Sequence, residues 1–335
     1  MKLAGQSAIL RLAVLAVPAF VALLAAFAFG PYPLSPTEAL AALWDGPSAE
    51  SNAATVVWQL RLPRIVAGFL VGAALSAAGA AYQGMFRNPL VSPDILGVSA
   101  GAGLGAALAI YFGLPLAAVQ AIAFAGGLLA VAAVVFVAGQ VRRHDPVLVL
   151  VLAGVAVGTL FSAGISLIKV LADPTVQLPS ITFWLLGGLN AVASGDLRLT
   201  APLIAVGLLP MLLLRWRINL LSLSDEEAAA LGVNVARLRG ILIVSATLMT
   251  AAAVSIAGIV GWIGLVVPHA ARLLVGPEFS RLLPAALLLG GGFLVAADTL
   301  ARSAATIELP LGILTALVGA PVFLWLLART GRGGA

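Results

Sequence analysis

The sequence predicts an all-α polytopic membrane protein with about ten transmembrane helices. Three observations predict it. Of the 335 residues, 62% are hydrophobic. Only 9% are charged, against about 25% in a soluble domain. Apolar stretches near the ~20 residues that a spanning helix needs recur along the chain. So few charges cannot cover a water-facing surface, whereas a lipid-facing surface needs none. The connecting segments are short and marked by Pro or Gly, which predicts a single membrane domain over 1–335. Cysteine is absent, so thiols say nothing of redox compartment. The net charge of +5 does not point to nucleic acid, because the basic residues sit at span ends, where they set topology.

In chain order, spans are expected at 12–30, 65–86, 95–112, 115–138, 147–170, 197–214, 240–258, 259–275, 282–302 and 310–328. The first follows Lys2 and Arg11 and is long for the apolar part of a signal peptide, so it is read as retained. The third and fourth meet at the tight turn Gly113-Leu114-Pro115. The seventh and eighth run together, with only Gly258 and Gly261 as punctuation. Residues 31–60 and 171–196 are too polar to span, although Ile181 to Leu189 fits a short helix lying against the membrane surface. With the N-terminus inside, 13 of the 18 basic residues fall at inner ends and 5 at outer ends. That bias predicts both termini in the cytoplasm of a multi-pass inner-membrane protein.

Within the second span, Gly68, Gly72, Ser76, Gly79 and Gln83 share one helix face. Small residues at that spacing let helix backbones approach closely in lipid, so packing is expected of the stripe. Gln83 is its exception, a polar group that needs a partner and a candidate for a translocation path. Thr159, Ser162 and Ser166 make a second polar stripe in the fifth span. They either line a path or bond carbonyls of their own helix.

The sequence is poor in catalytic chemistry. Its two histidines are His144 and His269. His144 reads as a loop residue and His269 as an interfacial or packing residue. No catalytic residue, metal ligand or cofactor site is expected. No ionisable group falls near a span centre, which argues against an ion-coupled secondary transporter. A phosphate-binding P-loop ends in Lys, and the only lysines, Lys2 and Lys169, follow no Gly-rich turn. Any ATP and Mg must therefore belong to a separate ATPase, and the chain itself is expected to be no enzyme.

The inner loop 215–239 fits such a partner. Ser224 caps a helix begun by Asp225, Glu226 and Glu227, and Ser224 with Glu227 makes a capping box. Leu231 continues the helix and Gly232 ends it. So short a helix is marginal alone and needs something to hold it; its own membrane domain is the bland candidate. On the outer face, Arg61, Arg64 and Arg302 run against the topology bias. They either dock an acidic partner or are capped locally, for instance by Asp298 four residues before Arg302.

The ordered motifs resemble the FecCD-type permeases of ABC importers for iron-siderophores, haem and cobalamin. They are RLPR at 61–64, RNPLVSPDILGVSAGAG at 87–103, WLLGGL at 184–189, LSLSDEEAAALGV at 221–233, GWIGLVVPHAARLLVG at 261–276, AADTLAR at 296–302 and ELPLGILTALVGAPVFLWLL at 308–327. The resemblance covers about 58 to 329. It implies the type II importer permease fold, two permease copies, two cytoplasmic ATPases and a periplasmic binding protein that docks on Arg61, Arg64 and Arg302. It implies ATPase coupling through Ser224 to Gly232 and a path lined by the fifth span. It places a cytoplasmic gate near 142–148, here His144, Asp145, Pro146 and Val147. An iron-siderophore leads as cargo, with haem, cobalamin and molybdate open. A non-transporting structural or signalling protein is the remaining rival.

Overall fold

The computed structural model describes residues 2–141, 146–305 and 307–330, which hold helices and turns and no strand. The elements are α1 (Lys2–Ala28), α2 (Pro36–Asp45), α3 (Asn52–Thr55), α4 (Leu62–Met85), α5 (Val98–Tyr111), α6 (Leu116–Gln140), α7 (Pro146–Leu171), α8 (Gln177–Leu186), α9 (Ser194–Leu213), α10 (Arg215–Ile218), α11 (Asp225–Ala230), α12 (Val235–Ala257), α13 (Ile263–Val275), α14 (Phe279–Ala301) and α15 (Leu311–Thr330).

Seven helices among the described residues are long and apolar enough to cross a membrane, and α5, α13 and the apolar part of α15 are shorter apolar helices. These ten segments fall on the ten expected spans. Two spans are shorter than expected. Pro93–Leu96 forms a tight 3-10 turn and Gly97 turns left-handed, so α5 starts at Val98. Trp262 also has a positive φ of 71°, so α13 starts only at Ile263. The segment 31–60, read as too polar to span, holds short helices. Ser35 and Ser51 each cap a helix start. The helix from Ser51 runs through a π-helical turn, Val56–Arg61, straight into α4. A short helix forms near the expected 181–189, as α8, but it runs from Gln177 to Leu186 and is ended by Gly187 with a φ of 74°.

Backbone contacts gather into two units, each discontinuous in sequence. One takes Met1–Ala80, Gly188–Pro202 and Gly261–Ala335; the other takes Ala81–Gly187 and Leu203–Val260. In the first unit α14 packs against α1, α13 and α15. The small-residue stripe of α4 serves packing there, as expected. A Cβ added to Gly79 would meet the carbonyl carbon of Gly264 at 2.7 Å, so α4 and the start of α13 touch backbone to backbone. In the second unit α5 is enclosed by α6, α7, α8 and α12. Ala102, Ala106, Ala109, Val119, Ala123 and Val254 form a small-residue core between α5, α6 and α12.

Candidate functional site

The arginines of the RLPR and AADTLAR motifs come together in the first unit. Arg61 is 3% exposed and Arg302 is 5% exposed. The last turn of a helix leaves carbonyls without partners and carries partial negative charge. Arg61 meets both needs at the end of α1, donating to the carbonyls of Phe27 and Ala28 and, beyond the helix, of Tyr32. Arg302 donates to the carbonyl of Ala26 in the same turn and lies 3.7 Å from Asp298. Arg64 forks two carboxylates at once. Its Nε and Nη2 donate to Asp298 at 2.9–3.0 Å, and Nη1 and Nη2 donate to Glu308 at 2.9 and 3.1 Å. Such charge-assisted forks are stronger than neutral hydrogen bonds. Local capping is thus present for all three arginines, from Asp298 and more. Three guanidiniums face two carboxylates, and the corner keeps a positive excess.

The loop helix forms in the second unit as α11, capped at Ser224 as expected, with Leu231 as its C-cap rather than its last helical residue. Ser224 Oγ accepts from the Glu227 N–H at 3.2 Å, and Glu227 Oε2 accepts from the Ser224 N–H at 2.9 Å. Gly232 turns left-handed, and the Val233 N–H donates to Ala228 to close the helix. The helix rests on its own unit through buried Ala228 and through Asp225. Arg239 of α12 donates to both Asp225 oxygens at 2.7 and 2.8 Å, and Arg87 donates to one at 2.6 Å. These bonds, with Arg239 the strongest cause, hold the Asp225 carboxyl below the usual carboxylate range. The opposite face is open: Glu226, Glu227, Ala229 and Ala230 are exposed, and Leu231 is 62% exposed.

The path candidates divide. Gln83 is 2% exposed and donates to the Val91 carbonyl at 3.4 Å. Thr159 donates to the carbonyl of Val155 at 2.8 Å and Ser166 to that of Ser162 at 3.0 Å, the backbone-bonding alternative. Thr159, Ser162 and Ser166 nonetheless stand on an exposed face of α7 in the single chain. Of the gate candidates, Pro146 and Val147 begin α7. His144 and Asp145 lie outside the described residues. His269 is buried in α13, and its ring nitrogens find no hydrogen-bond partner among the described residues.

Sequence reasoning missed Arg87, Arg239 and Glu308 as members of these clusters. Arg87 alone carried a signal, a charged residue just past the end of α4, where Gly is usual.

The FecCD transport family model matches residues 18–329. The chain is 40% identical over 281 residues to the molybdate import permease MolB of Haemophilus influenzae, covering 83% of this chain and 82% of that one. It is 42% identical over 280 residues to a probable iron chelatin transport permease of Helicobacter pylori, covering 84% of each. A solved structure described as an inward-facing conformation of a metal-chelate type ABC transporter superposes with a TM-score of 0.85 at 36% identity, over 95% of this chain and 98% of that one. The apolar helices, the ordered motifs and this match over nearly the whole length converge, and the chain belongs to the FecCD transport family as a multi-pass ABC importer permease.

Proposed function

We propose that this permease carries a metal chelate, an iron-siderophore first, from periplasm to cytoplasm by alternating access. It works as a homodimer with two cytoplasmic ABC ATPases, which bring the ATP and Mg, and with a periplasmic binding protein. Both termini face the cytoplasm. The observation that carries the reading is α11, a helix anchored on one side and open on the other. Its open face offers Glu226 and the exposed apolar Leu231 to the ATPase. The polar stripe of α7, exposed in the single chain, supports a conduit between two copies, with Thr159, Ser162 and Ser166 toward it.

The expected test is co-purification. Leu231→Glu combined with Glu226→Lys should cut the ATPase recovered with the tagged permease by about tenfold, the effect of losing one interface hot spot. Undiminished recovery would overturn the coupling role of α11.

The binding protein docks, on this reading, over the corner of Arg61, Arg64 and Arg302. Arg61 and Arg302 are already bonded inside, so they contribute field rather than direct pairs. Arg64 and half-exposed Glu308 form the rim. Arg64→Glu inverts the local charge and should slow binding-protein association by about tenfold at low salt. An unchanged on-rate would sink the docking claim.

The cargo reading leans on the names of the iron chelatin and metal-chelate relatives. Molybdate is the second reading, favoured by a relative of nearly equal identity. Fluorescence titration of the captured binding protein with ferric siderophore, haem, cobalamin and molybdate separates them. Saturation by molybdate alone would replace the chelate reading.

A further inference from the structure

Two residues past the end of α4 stands Arg87, with a φ of 50°. The Asn88 N–H donates to the Gln83 carbonyl at 3.1 Å, which closes the helix end in a left-handed turn. That position is normally glycine, because an L side chain there is strained. Strain held at one residue calls for something that the side chain does. The Arg87 side chain reaches two neighbours. Its Nε donates to the Leu221 carbonyl at 2.8 Å, in the turn before α11, and its Nη2 donates to Asp225 at 2.6 Å. Asp225 is the first residue of α11 and is gripped bidentately by Arg239 from α12. One carboxylate therefore joins three elements: the end of α4, the start of α11 and the first turns of α12.

We propose that Arg87, Asp225 and Arg239 form a charge clamp that makes α11 move as one body with α12 and the end of α4. Arg87 and Asp225 are then positioning residues, which pass displacement of α11 to the spanning helices. The proposal rests on the reading of α11 as the ATPase-docking helix. A loosely tethered helix of six residues would absorb such a displacement by fraying. Two guanidiniums on one carboxylate remove that slack. Glu227 is engaged in the cap with Ser224 and is no substitute anchor. The clamp persists across the physiological range. A carboxylate held below its ordinary pKa contributes above that value and is lost as pH falls through the depressed one.

The test uses Arg87→Gly. This change relieves the left-handed strain but breaks the clamp by removing one of its two guanidiniums and the tie to the Leu221 carbonyl, so thermal unfolding of the purified permease should not move down. Exchange of the 225–231 backbone amides should nevertheless quicken by about fivefold, the scale of an exposed ion-pair contribution. The chain has no cysteine, so Ala230→Cys and Val244→Cys, both exposed positions, can carry spin labels. In the complex purified with its ATPase, the label distance should keep one narrow value with and without ATP plus vanadate. In Arg87→Gly it should broaden with nucleotide, and Asp225→Asn should behave alike. Arg239→Lys, which keeps a positive charge on Asp225, should retain most of the narrow value.

A narrow, nucleotide-independent distance in Arg87→Gly would overturn the clamp while leaving α11 as the docking helix. Full ATPase recovery with the Leu231→Glu, Glu226→Lys chain would instead overturn the docking reading, and the transmission role with it. The two failures are read in different variants.

Discussion

Asp298→Ala is expected to destabilise the permease by about 3–5 kcal/mol, the cost of leaving buried charge unpaired. Asp298 is 3% exposed and is the shared anion of Arg64 and Arg302. Removing it leaves Arg302 with carbonyl and hydroxyl partners but no carboxylate. Thermal unfolding in detergent micelles measures the loss. The control is Glu308→Gln. Its carboxylate side chain is 37% exposed, so solvent screens the pair with Arg64 and the change should cost under about 1 kcal/mol. Equal, mild effects of the two variants would show that the corner is not held by its buried anion.

Gly79→Val is the second large effect. Its added Cβ would lie 2.9 Å from the Gly264 Cα and closer still to the carbonyl. The neighbour is backbone, which has no rotamer to swing away, so α4 and α13 must separate. Overpacking of this kind costs about 1–3 kcal/mol and occasionally more; rigid backbone on both sides puts this case at the upper end. Gly84→Ala is the internal comparison, since nothing lies within 4 Å of a Cβ there. It should be neutral or stabilising by about 1 kcal/mol through helix propensity. If both variants unfold at the wild-type temperature, the close crossing is not what holds α4.

Local chemistry was legible in the sequence, and distant chemistry was not. The Ser224–Glu227 capping box is a relation over three residues, and it formed as read. The α4 stripe could be read from its spacing, but its partner Gly264 lies far along the chain and left no local trace. The arginine corner is the clearest case. From the sequence, Arg61, Arg64 and Arg302 are charges at span ends, and exposure is the natural expectation. Two of them are buried because the last turn of α1 brings its carbonyls to them, a helix end that no spacing rule assigns to an arginine 34 residues later. Asp298 was read as the i, i+4 partner of Arg302, yet its closer partner is Arg64, at 2.9 Å against 3.7 Å. Bidentate geometry decided between them, and geometry is a tertiary fact. The positions of the ten apolar segments were legible because lipid admits few alternatives. The lengths of α5 and α13 were not, because left-handed Gly97 and Trp262 end the helical pattern inside apolar sequence.

The short α5 bears on how the protein answers its bilayer. Its 14 residues reach about 21 Å, against a hydrocarbon thickness of about 30 Å. Its neighbours α6 and α7, with 25 and 26 residues, reach nearly 40 Å. Since α5 is enclosed by other helices, acyl chains press on the long neighbours and not on the short one. Hydrophobic mismatch is then taken up by tilt of the peripheral helices. The left-handed turn at Gly97, shielded within the protein, keeps its depth when lipid chain length changes.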